Sequence, residues 1–184
     1  MTLEEPKKYP GELASPQQVH ALAEEYRKAA SLLLQLSRPG KPLTRAPFRM
    51  AAIHAIELYL TALLLHFGLN PNQIRSMRHD LSARTEHALE AGLSVRAKTA
   101  KHLQSLSQNR EYLVTRYGPE LVATASQLNR LTATLEEVAT KVTVLITLPP
   151  RRPKQSHSAD GLKGQYPATL LQKPKPKDTT SARQ

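Results

Sequence analysis

Apolar residues recur at helical spacing between Ser15 and Leu148 and nowhere alternate as in a strand, so the chain reads as all-α. Ser15-Pro16-Gln17-Gln18 opens the first predicted helix. Ser15 can cap it, Pro16 suits the first turn, and Gln18 can complete a capping box. Its stripe is Val19, Leu22, Ala23, Tyr26, Ala30, Leu33 and Leu34, and Arg38-Pro39-Gly40-Lys41-Pro42 ends it. The second helix, Thr44 to Phe67 with Gly68 as its stop, is apolar almost all round, as suits an element packed on several sides. At about 100° per residue, its one polar stripe is Met50, His54, Glu57 and Thr61, opposite Phe48, Ala52, Ala55, Tyr59 and Leu63.

After Asn70-Pro71-Asn72 a short segment carries no clear period. A third major helix is predicted from Asp80 to Ala91, stopped by Gly92, with Leu81, Ala88 and Leu89 inward. Ser94 is the expected cap of the next, whose inner side holds Val95, Leu103, Leu106 and Leu113; run straight, it also turns Arg110 inward. Gly118-Pro119 then turns the chain into a long last helix with the stripe Leu121, Ala125, Leu128, Leu131, Leu135, Val138, Val142 and Ile146.

These elements divide the chain into a flexible arm over 1–14, a helical domain over 15–148 and a tail over 149–184. The tail's six prolines predict disorder. Net charge is +11, from 26 Lys+Arg and 15 Asp+Glu, and +6 of it lies in the tail. The domain is therefore only mildly basic. RRPK and KPKPK in the tail suit salt-sensitive contact with nucleic acid, or equally a solvated spacer. With no cysteine, disulfides, thiol nucleophiles and thiolate zinc sites are excluded. MTLEEPKKYP lacks the apolar core of a secretory signal, and Met50 to Leu65 is short for a bilayer span and contains His54 and Glu57. A cytoplasmic protein without membrane insertion is expected.

Three stretches, in order, resemble the HEPN domain family: His54-Ala55-Ile56-Glu57-Leu58 running on to Gly68, His79-Asp80-Leu81 opening the third major helix, and Arg116-Tyr117-Gly118-Pro119 before the last helix. The resemblance spans about His54 to Leu121. It implies an antiparallel bundle of four to five helices, often a homodimer, that handles RNA or nucleotides. Some members are metal-independent endoribonucleases. Others are non-cleaving modules paired with minimal nucleotidyltransferases in toxin–antitoxin or defence systems. The nuclease members carry an arginine followed four to six residues later by histidine. Here the corresponding run is Asn109-Arg110-Glu111-Tyr112-Leu113-Val114-Thr115-Arg116-Tyr117, with arginine where that histidine belongs. Histidine exchanges a proton near neutral pH and arginine does not, so binding survives this change better than acid–base cleavage. Arg49 to His54 and Arg96 to His102 fit the bare spacing, but in straight helices their side chains point about 140° and 120° apart.

The expected ligand contacts are Arg110, Arg116 and Tyr117, supported by His54 and Glu57 from the second helix. Structural alternatives stand beside them. Arg110 can pair inside the bundle with a carboxylate such as Glu57, Arg116 can cap a helix end, and His54 with Glu57 can be a plain polar stripe. Asp80 is a good helix cap that His79 merely precedes. No cofactor or metal is expected. The functional expectation is a non-cleaving HEPN-like protein that binds RNA or nucleotide. A divergent endoribonuclease and a purely structural interaction module are the alternatives.

Overall fold

The computed structural model describes residues 9–149, and every regular element there is helical. The elements are α1 (Pro16–Gln35), a 3-10 turn (Pro42–Arg45), α2 (Ala46–His66), α3 (Pro71–Ser76), α4 (Leu81–Glu90), α5 (Ala97–Gln108), α6 (Glu111–Tyr117), a second 3-10 turn (Pro119–Thr124) and α7 (Leu128–Thr147). The predicted disordered tail, apart from Pro149, lies outside the described residues, as do residues 1–8 of the predicted arm. Residues 9–14 form hydrogen-bonded turns, and the Arg75 guanidinium sits 4.8 Å over the Tyr9 ring.

Local chemistry sets most helix ends. Ser15 Oγ accepts the Gln18 N–H at 3.1 Å while the Gln18 side chain accepts the Ser15 N–H at 2.8 Å, closing the predicted capping box. The same device builds α3 where no period was visible: Asn70 caps it, Pro71 starts it and Gln73 reaches back. Asp80 accepts the N–H groups of Ser82 and Ala83 at the start of α4. The Ser107 hydroxyl, outweighing partial desolvation and helped by those amides, holds the Asp80 carboxyl below its ordinary range.

At the centre runs α2, with α1, α4, α6 and α7 packed around it. Pro42–His66 is long and apolar enough to cross a membrane by length and composition, but 67% of its most apolar window is buried inside the bundle. Phe48, Ala52, Ala55, Tyr59 and Leu63 are all buried, and the stripe Met50, His54, Glu57 and Thr61 is the less covered side. The buried Tyr59 hydroxyl donates to Glu24 of α1. Arg27 bonds Glu24 at 3.0 Å and Glu136 of α7 at 3.1 Å, so three helices share one polar network. Burial, then the bond to Glu24, pushes the Tyr59 hydroxyl's pKa upward.

Four expectations are corrected. The straight helix through Arg110 does not exist. The chain leaves α5 at Gln108, and Arg110 adopts left-handed backbone (φ +49°, ψ +39°) before α6 begins. That residue resets the helical phase, so Arg110 is exposed, Leu113 only half-buried, and Glu111 goes inward at 1% exposure. Secondly, α7 begins at Leu128, and the preceding 3-10 turn buries Val122 while leaving Leu121 exposed. Thirdly, Ser94 does not cap α5. Glu137 of α7 does so from across the bundle, accepting the Arg96 N–H at 2.8 Å, Arg96 Nε at 2.7 Å and the Thr99 hydroxyl at 2.5 Å. Finally, α4 buries Leu81, Arg84, Thr85 and Ala88, and Leu89 is exposed.

His102 of α5 is enclosed in the core with Nδ1 2.7 Å from the Thr134 hydroxyl. Burial, reinforced by the charges of Arg130 and Arg49, pushes its pKa from 6.5 down to about 4. The unfolded chain therefore binds this proton more readily than the folded one, and stability is lost as pH falls from about 6.5 toward 4. In urea titrations at stepped pH, His102→Gln is expected to flatten that slope. An unchanged slope would exclude His102 as its source.

Candidate functional site

The polar stripe of α2 forms one wall of a groove of about 910 Å³. Leu22 of α1, Arg75 of α3, the following turn with Arg78 and His79, Arg84 of α4, and residues 9–14 complete it. Turning α2 so that its apolar sides fill the core leaves His54 and Glu57 facing this space, which is how the helix's composition positions the site.

Glu57 organises the floor. Its Oε1 accepts Arg84 Nη2 at 3.2 Å and its Oε2 lies 3.2 Å from His79 Nδ1. Arg84 is buried and spends its fork on backbone as well, donating to the Ile74 carbonyl at 3.2 Å and to the Arg78 carbonyl. It thereby fastens α3 and the turn after it to α2 and α4. Arg78 in that turn has left-handed backbone (φ +48°), a conformation unusual for a residue with a Cβ. With both oxygens committed to cationic or donor groups, Glu57 serves as a structural anion rather than a free base.

His54 packs edge-on against Tyr26, ring centroids 4.4 Å apart, and its Nδ1 is buried without a hydrogen-bond partner among the described residues. Burial holds its pKa below the ordinary histidine value. The charges of Arg116 and His79 push the same way, and Glu57 opposes them. The ring is therefore neutral at neutral pH. Helix α6 packs on α2 beside this stripe. His79 leans on Tyr112 of α6, centroids 5.1 Å apart.

Of the five expected site residues, His54 and Glu57 line the groove together, and Arg116 is exposed on α6 outside its lining. Tyr117 follows it and is 76% exposed. Arg110 is not brought in. It sits exposed at the start of α6, six residues before Arg116, or about 9 Å along a helix axis. Its expected pairing with Glu57 is not formed, because Arg84 and His79 hold that carboxylate. The carboxylate buried in this part of the chain is instead Glu111, whose Oε2 pairs with Arg49 Nη1 of α2 at 3.3 Å.

Arg84 escaped the sequence reading, and His79 was given only a capping-neighbour role. A signal for Arg84 exists: it lies three residues after Leu81 and four before Ala88, on the apolar stripe of α4, where a cation must find an anion. No cluster of three or more His, Asp or Glu side chains placed to hold a metal ion occurs among the described residues. What the arrangement offers is a largely apolar groove with the His54 and His79 imidazoles, the Tyr9 ring and the cations Arg75 and Arg78 on its walls beside Glu12 and the engaged Glu57, which admits a flat ligand carrying negative charge. No family model matches the chain, and neither a curated protein nor a solved structure matches it.

Proposed function

We propose that this chain is a HEPN-like module that binds RNA or a nucleotide at the His54–Glu57–His79 groove without cleaving it. The observation that carries the reading is convergence. The three stretches that resemble the family are remote in sequence, yet His79 meets Glu57 at 3.2 Å, and α6, which carries Arg116, packs on α2 and sets Tyr112 against the His79 ring. Arg75, Arg78 and Arg116 hold phosphate, with Tyr112 and Tyr117 available to bases. His54 and Glu57 shape the floor. The committed Glu57 carboxylate and the absence of histidine at Arg116 favour binding over acid–base cleavage. In the family's terms the protein works as a dimer in a toxin–antitoxin or defence system, alone or beside a minimal nucleotidyltransferase.

Fluorescence anisotropy with labelled single-stranded RNA tests this. Binding is expected to saturate, to weaken steeply as salt rises, and to fall about tenfold or more in the double variant Arg78→Ala/Arg116→Ala. The RNA is expected to remain intact. No saturable binding at physiological salt would leave the bundle as a protein-docking module. Metal-independent cleavage that Arg110→Ala abolishes would establish the nuclease reading instead.

A further inference from the structure

At the end of α2 opposite Leu65, a second cavity of about 600 Å³ opens between Arg45, Arg49, Ser126 and the first turn of α7 (Gln127, Leu128, Asn129). Two arginines converge there against one carboxylate. Arg49 is 96% buried, from its 4% exposure, and its two Nη atoms are used on Glu111, the Ser126 hydroxyl and the Ser126 carbonyl. Glu111 is in turn saturated, since it also accepts the Ser126 N–H at 2.8 Å and the Ser126 hydroxyl at 3.1 Å. Among the described residues Arg45 has no carboxylate partner. The Nε atoms of Arg45 and Arg49 are both buried with no hydrogen-bond partner among the described residues. Burial lowers the pKa of Arg49, Glu111 pulls it back up, and the charge of Arg45, which lines the same cavity, lowers it further.

The remaining wall sets apolar side chains, among them Pro42, Val122 and Leu128, beside the start of α7. A 20-residue helix, α7, starts at this cavity with no side-chain cap and no acidic residue in its first turn, so the positive end of its dipole borders the cavity. We infer that the cavity binds a phosphate group, as the free ion or as a phosphomonoester, between the Arg45 and Arg49 guanidiniums and the first N–H groups of α7. Phosphate supplies what the walls lack: negative charge beside Arg45 and acceptor oxygens for its guanidinium and for the first backbone N–H groups of α7. The site is independent of the groove proposed for RNA, so either assignment can fail while the other stands.

Thermal unfolding of the full chain in increasing inorganic phosphate, with ionic strength held constant by sodium chloride, is the test. A saturable rise in Tm of about 2–5 °C is expected for a ligand binding only the folded state. Two variants locate it. Arg45→Gln leaves the Arg49–Glu111 pair in place and is expected to abolish the rise. Asn129→Asp puts a carboxylate in the first turn of α7, where it favours the helix, so its own Tm is expected to hold or increase while phosphate no longer raises it. Adenosine monophosphate and adenosine separate the sources: a rise with free phosphate, with the monophosphate or with both supports the site when Arg45→Gln abolishes it, whereas a rise that survives in Arg45→Gln belongs to the groove. Equal effects of monophosphate and adenosine, no saturable rise with either phosphate form, or an undiminished rise in Arg45→Gln overturns it.

Discussion

Glu111→Ala is expected to destabilise the fold by about 3–5 kcal/mol, more than loss of any surface carboxylate. The pair it breaks is enclosed on both sides, with side-chain exposures of 4% for Arg49 and 2% for Glu111. Without the carboxylate, the guanidinium stays in the core uncompensated, and the Ser126 N–H and hydroxyl lose their acceptor. The chain cannot easily relieve this, because Arg49 sits on the central helix and Glu111 starts the helix that packs across it. The contrast is Lys28–Glu25, an exposed pair on α1 whose removal should hardly register. The cost belongs to the stranded charge rather than to the attraction itself. Urea unfolding of the double variant Arg49→Met/Glu111→Leu is therefore expected to recover much of what either single change loses. A loss below about 1 kcal/mol for Glu111→Ala would mean that water reaches the pair.

That pair also marks where sequence reasoning ran out. In α1 and α2 the local signals agree with one another: a capping box, a proline in the first turn, a glycine stop and an apolar period long enough to leave no choice of face. The polar stripe of α2, with His54 and Glu57, therefore lies on the less covered side of the helix, where its period put it. In α5 and α6 the period ran on through Gln108-Asn109-Arg110, and the break depends on Arg110 taking left-handed backbone. Asparagine adopts that conformation several times more readily, so even a reader seeking a break would have placed it at Asn109. A one-residue error in phase exchanges Arg110 for Glu111 as the inward group, and with it the identity of the buried ion pair. The cap of α5 failed for a different reason. Its acceptor, Glu137, is 41 residues away, and local rules cannot see it. Arg84 was legible in principle. Its position on an apolar stripe demanded an anion, but which one followed only from the packing of α4 on α2.

Arg84→Ala is expected to cost about 2–4 kcal/mol and to unfasten the groove as well. One guanidinium satisfies the Glu57 carboxylate and the carbonyls of Ile74 and Arg78, all in a region with little other support, since α3 has six residues and buries only Ile74. Its loss leaves Glu57 with His79 alone and frees the turn that holds Arg78 in left-handed backbone. Amide hydrogen exchange should show residues 71–80 losing protection first, ahead of the α1–α2–α7 core, because the defect is local to the segment Arg84 fastens. Arg84→Lys sharpens the argument. Lysine keeps the charge but cannot reproduce the planar fork, so it should preserve part of the bond to Glu57 and lose the bonds to the two carbonyls. Its exchange pattern should therefore resemble that of the alanine variant while its unfolding free energy lies nearer wild type. On the proposed function, RNA affinity should follow the exchange pattern, because the proposal has Arg78 hold phosphate from a turn that Arg84 fixes. Equal protection of residues 71–80 in wild type and Arg84→Ala would show that the groove is held by something other than this arginine.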